Sequence, residues 1–187
     1  MMLEAITSLD FQILDWIQAH LRNDVFDIVF TLITHLGDGG LFWIALALIL
    51  ICTKKYRRAG ICMGIALICG VLVGNLTLKP LIGRIRPFDL RPTDLLISPP
   101  SDFSFPSGHT LASFGGATAL YRNHPKGGVP ALVLAVLIAF SRLYLYVHYP
   151  TDILAGLVLG ICFGLLSPAI LRKAEVLVQR IQKKTEL

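Results

Sequence analysis

Residues 59–78 run without a single charged side chain, and no other feature constrains the fold of this chain more. About 20 apolar residues is the length a helix needs to cross the hydrocarbon core of a bilayer, where the backbone must satisfy its own hydrogen bonds. Apolar stretches at 41–52, 111–121, 129–147 and 151–171 repeat the signal. An all-α, polytopic membrane helix bundle is therefore expected. Composition agrees: 55% of the 187 residues are hydrophobic and only 16% charged, against about a quarter charged in soluble domains. Mean hydropathy is +0.69. These values exclude a disordered chain, a collagen-like fibre and a disulfide-stapled miniprotein, and they tell against a soluble globular enzyme.

The placement of the basic residues orients the bundle. The net charge is +5, but most of the excess sits in three clusters: Lys54, Lys55, Arg57 and Arg58; Arg122 and Lys126; and Arg172, Lys173, Arg180, Lys183 and Lys184. The positive-inside rule places all three on the cytoplasmic face. Residues 8–21 alternate apolar and polar side chains as an interfacial helix does. Asn23 or Asp24 can cap a second helix reaching about Leu36, before a turn at Gly37, Asp38, Gly39 and Gly40. Counting 24–36 as a crossing gives about six transmembrane helices, with both termini cytoplasmic and the 83–107 loop and the 147–151 junction on the outer face. If the first helix is only interfacial, the count is five and the N-terminus changes sides. The expected organisation is an N-terminal interfacial helix, 1–22; a transmembrane domain, 23–172; and a basic cytoplasmic tail, 173–187. The first 30 residues lack a basic start followed by an apolar stretch, so no cleavable leader is expected. Cys52, Cys62, Cys69 and Cys162 lie in apolar runs and read as buried thiols. No basic face is interleaved with aromatics, which excludes nucleic acid as a partner.

The outer face collects polar residues that a bilayer tolerates poorly without a purpose. Lys79, Arg86 and Arg142 supply three cations against one nearby acid, Asp152. Salt-bridging alone would be better balanced; an anionic ligand provides the missing charge, and arginine forks suit phosphate oxygens. Ser107, Gly108 and His109 open a helix whose free N–H groups can receive an anion. Taken alone, Ser107 also reads as a helix cap. Pro150 suits the first position of the next helix, with Asp152 in its first turn, where it can reach back to His148. A carboxylate on one ring nitrogen leaves the other free as a nucleophile; an isolated pair of this kind also reads as an interfacial histidine bonded to a capping aspartate. Arg84 and Arg91 read as loop or headgroup contacts, and Tyr144 and Tyr146 as an aromatic interface belt. Asp89, Asp94 and Asp102 read as acids of loop turns, one of which can sit near the mouth of the site. His20, His35 and His124 read as structural or solvent-exposed.

Three runs carry a resemblance. KPLIGRIRP from Lys79 to Pro87 resembles a KxxxxxxRP motif, PSGH at 106–109 a PSGH motif, and SRLYLYVHYPTD at 141–152 an SRxxxxxHxxxD motif. Complete and in this order, they resemble the signatures of the type 2 phosphatidic acid phosphatase superfamily over roughly residues 55–172. The resemblance implies a multi-pass protein of the plasma membrane that needs no metal or other cofactor and acts on a lipid phosphate within the bilayer. His148 would form a phosphohistidine, Asp152 would hold its ring, and His109 would serve as acid and then base. Lys79, Arg86, Arg142, Ser107 and Gly108 would bind the phosphoryl oxygens. Similarity to small bacterial members points to undecaprenyl diphosphate, with phosphatidic acid and phosphatidylglycerol phosphate as rivals. Two other classes stay in view: a non-catalytic lipid-phosphate binder or transporter, and oxidative chemistry at a bound vanadate, since vanadium haloperoxidases are similar at the same motifs. The residues do not fix an oligomeric state.

Overall fold

The computed structural model describes residues 2–185. Met1, Glu186 and Leu187, the ends of the predicted interfacial helix and basic tail, lie outside the described residues, as does the Lys184 side chain. Every regular element among the described residues is helical. Amphipathic α1 (Met2–Leu21) precedes α2 (Asp24–His35), which Asn23 caps by accepting from the Phe26 N–H at 3.0 Å. A single 3-10 turn leads into α3 (Leu41–Cys52), and the α2–α3 pair bends by 40°. The turn needs Gly39 and Gly40 at φ of 58° and 68°, a left-handed backbone that side chains with a Cβ resist. α4 (Arg57–Cys69) runs through a π-helical stretch, Gly70–Leu78, into the short α5 (Lys79–Ile82), and α6 (Pro87–Leu90) follows. The 91–107 loop then gives way to α7 (Gly108–Asn123), α8 (Pro125–Tyr144) and α9 (Pro150–Thr185).

Lipid tails give helices no hydrophobic reason to associate, so close packing through small residues does the work. The centre is α7, enclosed by α4, α8 and α9. Gly156, Gly160 and Gly164 recur every four residues along α9 where it meets α7, and a Cβ at Gly160 would stand only 2.8 Å from the Leu111 carbonyl. Outward faces carry exposed Leu72, Leu76, Val133, Val136, Leu154 and Val158, as contact with lipid requires.

The crossings differ from the expected six. The stretches containing α4, α8 and α9 are long and apolar enough to cross a bilayer singly, whereas α2 and α3 qualify only as a pair. At 12 residues each and about 1.5 Å of rise per residue, neither reaches across alone. α1 settles the direction: Asp10 bonds Arg84 and Thr151, Asp15 bonds Arg91 and Tyr146, and Gln18 bonds the Tyr144 carbonyl. α2 and α3 thus descend as one bent passage from that end to the end where Tyr56 meets His124 edge-on. The described N-terminal helix consequently lies at the end away from the basic residues 54–58 and 122–126, as in the five-crossing alternative. Tyr144 and Tyr146 do not form an exposed belt; both are buried, and their hydroxyls donate to Asp27 at 2.5 Å and Asp15 at 2.7 Å. Of the cysteines only Cys62 is fully buried, while Cys52 and Cys162 are exposed, because an apolar context is satisfied by lipid as well as by protein.

Candidate active site

The junction between α8 and α9 builds the most enclosed part of the site. Pro150 opens α9 and sets Asp152 in its first turn, where Oδ2 accepts from the Tyr149 N–H at 3.0 Å. The same oxygen accepts from Ser104 Oγ at 2.5 Å, and Oδ1 accepts from Arg84 at 2.6 Å. His148 Nδ1 lies 3.4 Å from Asp152 Oδ2, and Nε2 lies 3.2 Å from Arg86 Nη1. Arginine has only donors, so Nε2 is the acceptor in that contact and the ring proton belongs on Nδ1, facing Asp152. Burial pushes the His148 pKa down to about 3, with Asp152 opposing and Arg86 and Arg142 reinforcing the shift. The imidazole is neutral at pH 7, with a lone pair on Nε2.

Opposite it, Ser107 caps α7, its hydroxyl accepting from the Thr110 N–H at 3.4 Å and Thr110 Oγ1 at 3.0 Å. Gly108 and His109 occupy the first turn. His109 Nε2 stands 2.9 Å from Asp38 Oδ1, and Asp38 Oδ2 is 2.7 Å from His35 Nδ1. Arg142, in the last turn of α8, donates to Thr34 Oγ1 at 2.6 Å, while its Nε is buried without a partner among the described residues. A buried guanidinium nitrogen left unsatisfied is costly, and a ligand oxygen would relieve it.

Lys79, Arg86, Gly108, His109, Arg142 and His148 line one cavity of about 770 Å³. Ser107 and Asp152 stand behind its wall, both fully buried. The structure thus gathers all eight predicted residues, six on the surface of the cavity and two supporting it. Three cations and a neutral imidazole around one space suit an oxyanion that presents an electrophilic centre.

Several participants escaped sequence reasoning. Arg84, read as a loop contact, bridges Asp152 to buried Asp10 of α1 at 2.7 Å and stacks 3.8 Å from the Tyr149 ring centroid. Asp10 offered a signal: it lies on the same helical face as Phe11, Leu14 and Ile17, all buried, and a carboxylate on an apolar stripe needs a partner. Ser104 and Asp38, within a loop and a glycine turn, gave none.

The chain is similar to known proteins in sequence and in fold. The PAP2 superfamily matches residues 56–175. An undecaprenyl-diphosphatase of Sulfolobus acidocaldarius is 36% identical over 130 residues, 68% of this chain; the chain spans 63% of that relative's length. An undecaprenyl-diphosphatase of Bacillus subtilis is 30% identical over 174 residues, 87% of this chain and 90% of its own. The crystal structure of a transmembrane PAP2-type phosphatidylglycerolphosphate phosphatase from Bacillus subtilis aligns with a TM-score of 0.75 at 30% identity, covering 90% of this chain and 87% of that one.

Proposed function

The chain belongs to the PAP2 superfamily, and from that premise we propose that it hydrolyses the terminal phosphate of a lipid mono- or diphosphate, undecaprenyl diphosphate foremost, through a phosphohistidine. The observation that carries this reading is His148, its Nδ1 turned to Asp152 and its Nε2 presented beside three cations. In the first step Nε2 attacks phosphorus as the bond to the leaving oxygen breaks. His109 enters this step as the imidazolium, its Nε2–H donated to Asp38 Oδ1, and gives the leaving oxygen its Nδ1 proton. In the second step His109 takes a proton from water, which attacks phosphorus and breaks the N–P bond, releasing inorganic phosphate. Lys79, Arg86, Arg142 and the Gly108 N–H neutralise the oxygens in the transition state, with Ser107 shaping the turn that presents Gly108.

Undecaprenyl diphosphate is favoured over phosphatidic acid and phosphatidylglycerol phosphate by the two diphosphatase relatives. The basic residues 54–58, 122–126 and 172–184 support an outer-face site in the plasma membrane, with 1–22 as an interfacial helix, 23–172 as the spanning domain and 173–187 as a cytoplasmic tail. Phosphate release by the detergent-purified protein in EDTA, from all three lipids and with His148→Ala beside it, tests the proposal. Release that survives EDTA, is fastest with undecaprenyl diphosphate and disappears in the variant is expected. Release by the variant at the wild-type rate would overturn it.

A further inference from the structure

The loop before α7 puts a carboxylate where a phosphate belongs. Asp102 Oδ2 takes the Lys79 ammonium and Oδ1 accepts from Arg86 Nη2 at 2.5 Å, so both cations face an internal anion. Asp102 lines the same cavity as His148 and His109, yet its side chain is 56% exposed. The carboxylate is not what fixes the two cations. Lys79 also donates to the Phe103 carbonyl at 2.9 Å; Arg86 donates through Nε to the Asp102 carbonyl at 2.8 Å and through Nη1 to the Val147 carbonyl at 2.6 Å. Backbone oxygens therefore hold both side chains when the carboxylate swings away, and solvent is open to receive it.

Its charge is secure. Partial burial raises the Asp102 pKa, but Lys79 and Arg86 overcome this and bring it down to about 2. It stays an anion at any pH near neutrality, matched in charge and donor demand to one edge of a phosphoryl group.

We propose that Asp102 is a built-in competitor for the phosphate subsite, displaced by the substrate's phosphoryl group and returning to Lys79 and Arg86 as inorganic phosphate leaves. This rests on the phosphatase reading of the cavity and deepens it by naming a residue that sets affinity. A subsite open for about a tenth of the time binds its ligand about tenfold more weakly than its intrinsic strength. Removing the competitor restores that factor, whereas removing a residue that only positioned Lys79 and Arg86 would weaken binding.

The test is Asp102→Asn in the full-length, detergent-purified protein, reading KM for the lipid, inhibition by inorganic phosphate, and the rise in melting temperature on adding phosphate. KM and the phosphate inhibition constant are both expected to fall about tenfold, and phosphate is expected to stabilise the variant more than the wild type. Should the variant fail to fold, Asp102→Glu, which keeps the charge on a longer arm, serves in its place, with a smaller change in the same direction. An active variant whose phosphate inhibition is unchanged or weaker overturns this inference and leaves the phosphatase reading intact. A wild-type protein that neither hydrolyses lipid nor is stabilised by phosphate overturns both.

Discussion

His148 and His109, two of the three histidines that line the cavity, are held in opposite ways. His148 is 1% exposed and is enclosed by Asp152, Ser104 and Arg86, with Arg84 and the Tyr149 N–H fixing Asp152 in turn. His109 leans on Asp38, whose half-exposed carboxylate comes from the glycine turn that interrupts the α2–α3 passage. The proposed two-step displacement, with His148 as nucleophile and His109 as acid, asks for this difference. The nucleophile forms and breaks one bond at one place, so fixing its tautomer and direction beforehand lowers the barrier. The acid must reach a bulky leaving group and then water, so it needs an open side.

The largest effect should come from breaking the fixed side. His148→Ala is expected to lower kcat by about 10⁴-fold or more, read as phosphate release in EDTA; appreciable turnover would mean that the rigid half is not the reacting half. Asp152→Asn comes next, at about 10³- to 10⁴-fold, because an amide can turn its N–H toward Nδ1 and favour the wrong tautomer. His109→Gln should cost about 10²- to 10³-fold on lipid but far less on p-nitrophenyl phosphate, whose leaving group departs without a proton. Equal losses on the two substrates would erase the distinction between nucleophile and acid.

Smaller effects sharpen the contrast. Asp10→Asn touches neither histidine, yet it loosens Arg84 and through it Asp152; about a tenfold fall in kcat with little change in KM is expected, and Asp10→Glu should recover part of it. A raised KM alone would assign Asp10 to the membrane helix rather than to the rigid half. The smallest concerns acid stability. Asp102 has its folded pKa below the ordinary carboxylate value, so its pairing stabilises the fold above about pH 4 and is lost as pH falls toward about 2. The side chain is half-exposed and screened. The melting-temperature advantage of wild type over Asp102→Asn, without phosphate, should therefore shrink between pH 5 and pH 2, by at most about 2 °C.

Much of the site was legible because charge is rare where lipid is the solvent. Lys79, Arg86 and Arg142 stood out at the ends of apolar runs, and His148 with Asp152 stood out by helical spacing and the proline between them. Arg84 lay in the same run as Lys79 and Arg86 without declaring a role, since an arginine beside a membrane is ordinarily a headgroup contact. Its role depends on Asp10, 74 residues earlier. Asp38 is likewise 71 residues from His109, inside a turn whose glycines explain it fully as local structure.

The sequence by itself determined that the chain is a membrane helix bundle, and it marked the charged and polar residues that the fold gathers around one cavity, because the bilayer imposes a length on every crossing and a penalty on every unpaired charge. Only the tertiary structure decided that α2 and α3 share one bent passage, that α1 lies at the cavity end and reaches Asp152 through Arg84, and that Asp38 and Asp102 face His109 and the cations. Those relations are set by how helices pack in three dimensions, and hydropathy fixes the length of a helix but not the neighbour against which it comes to rest.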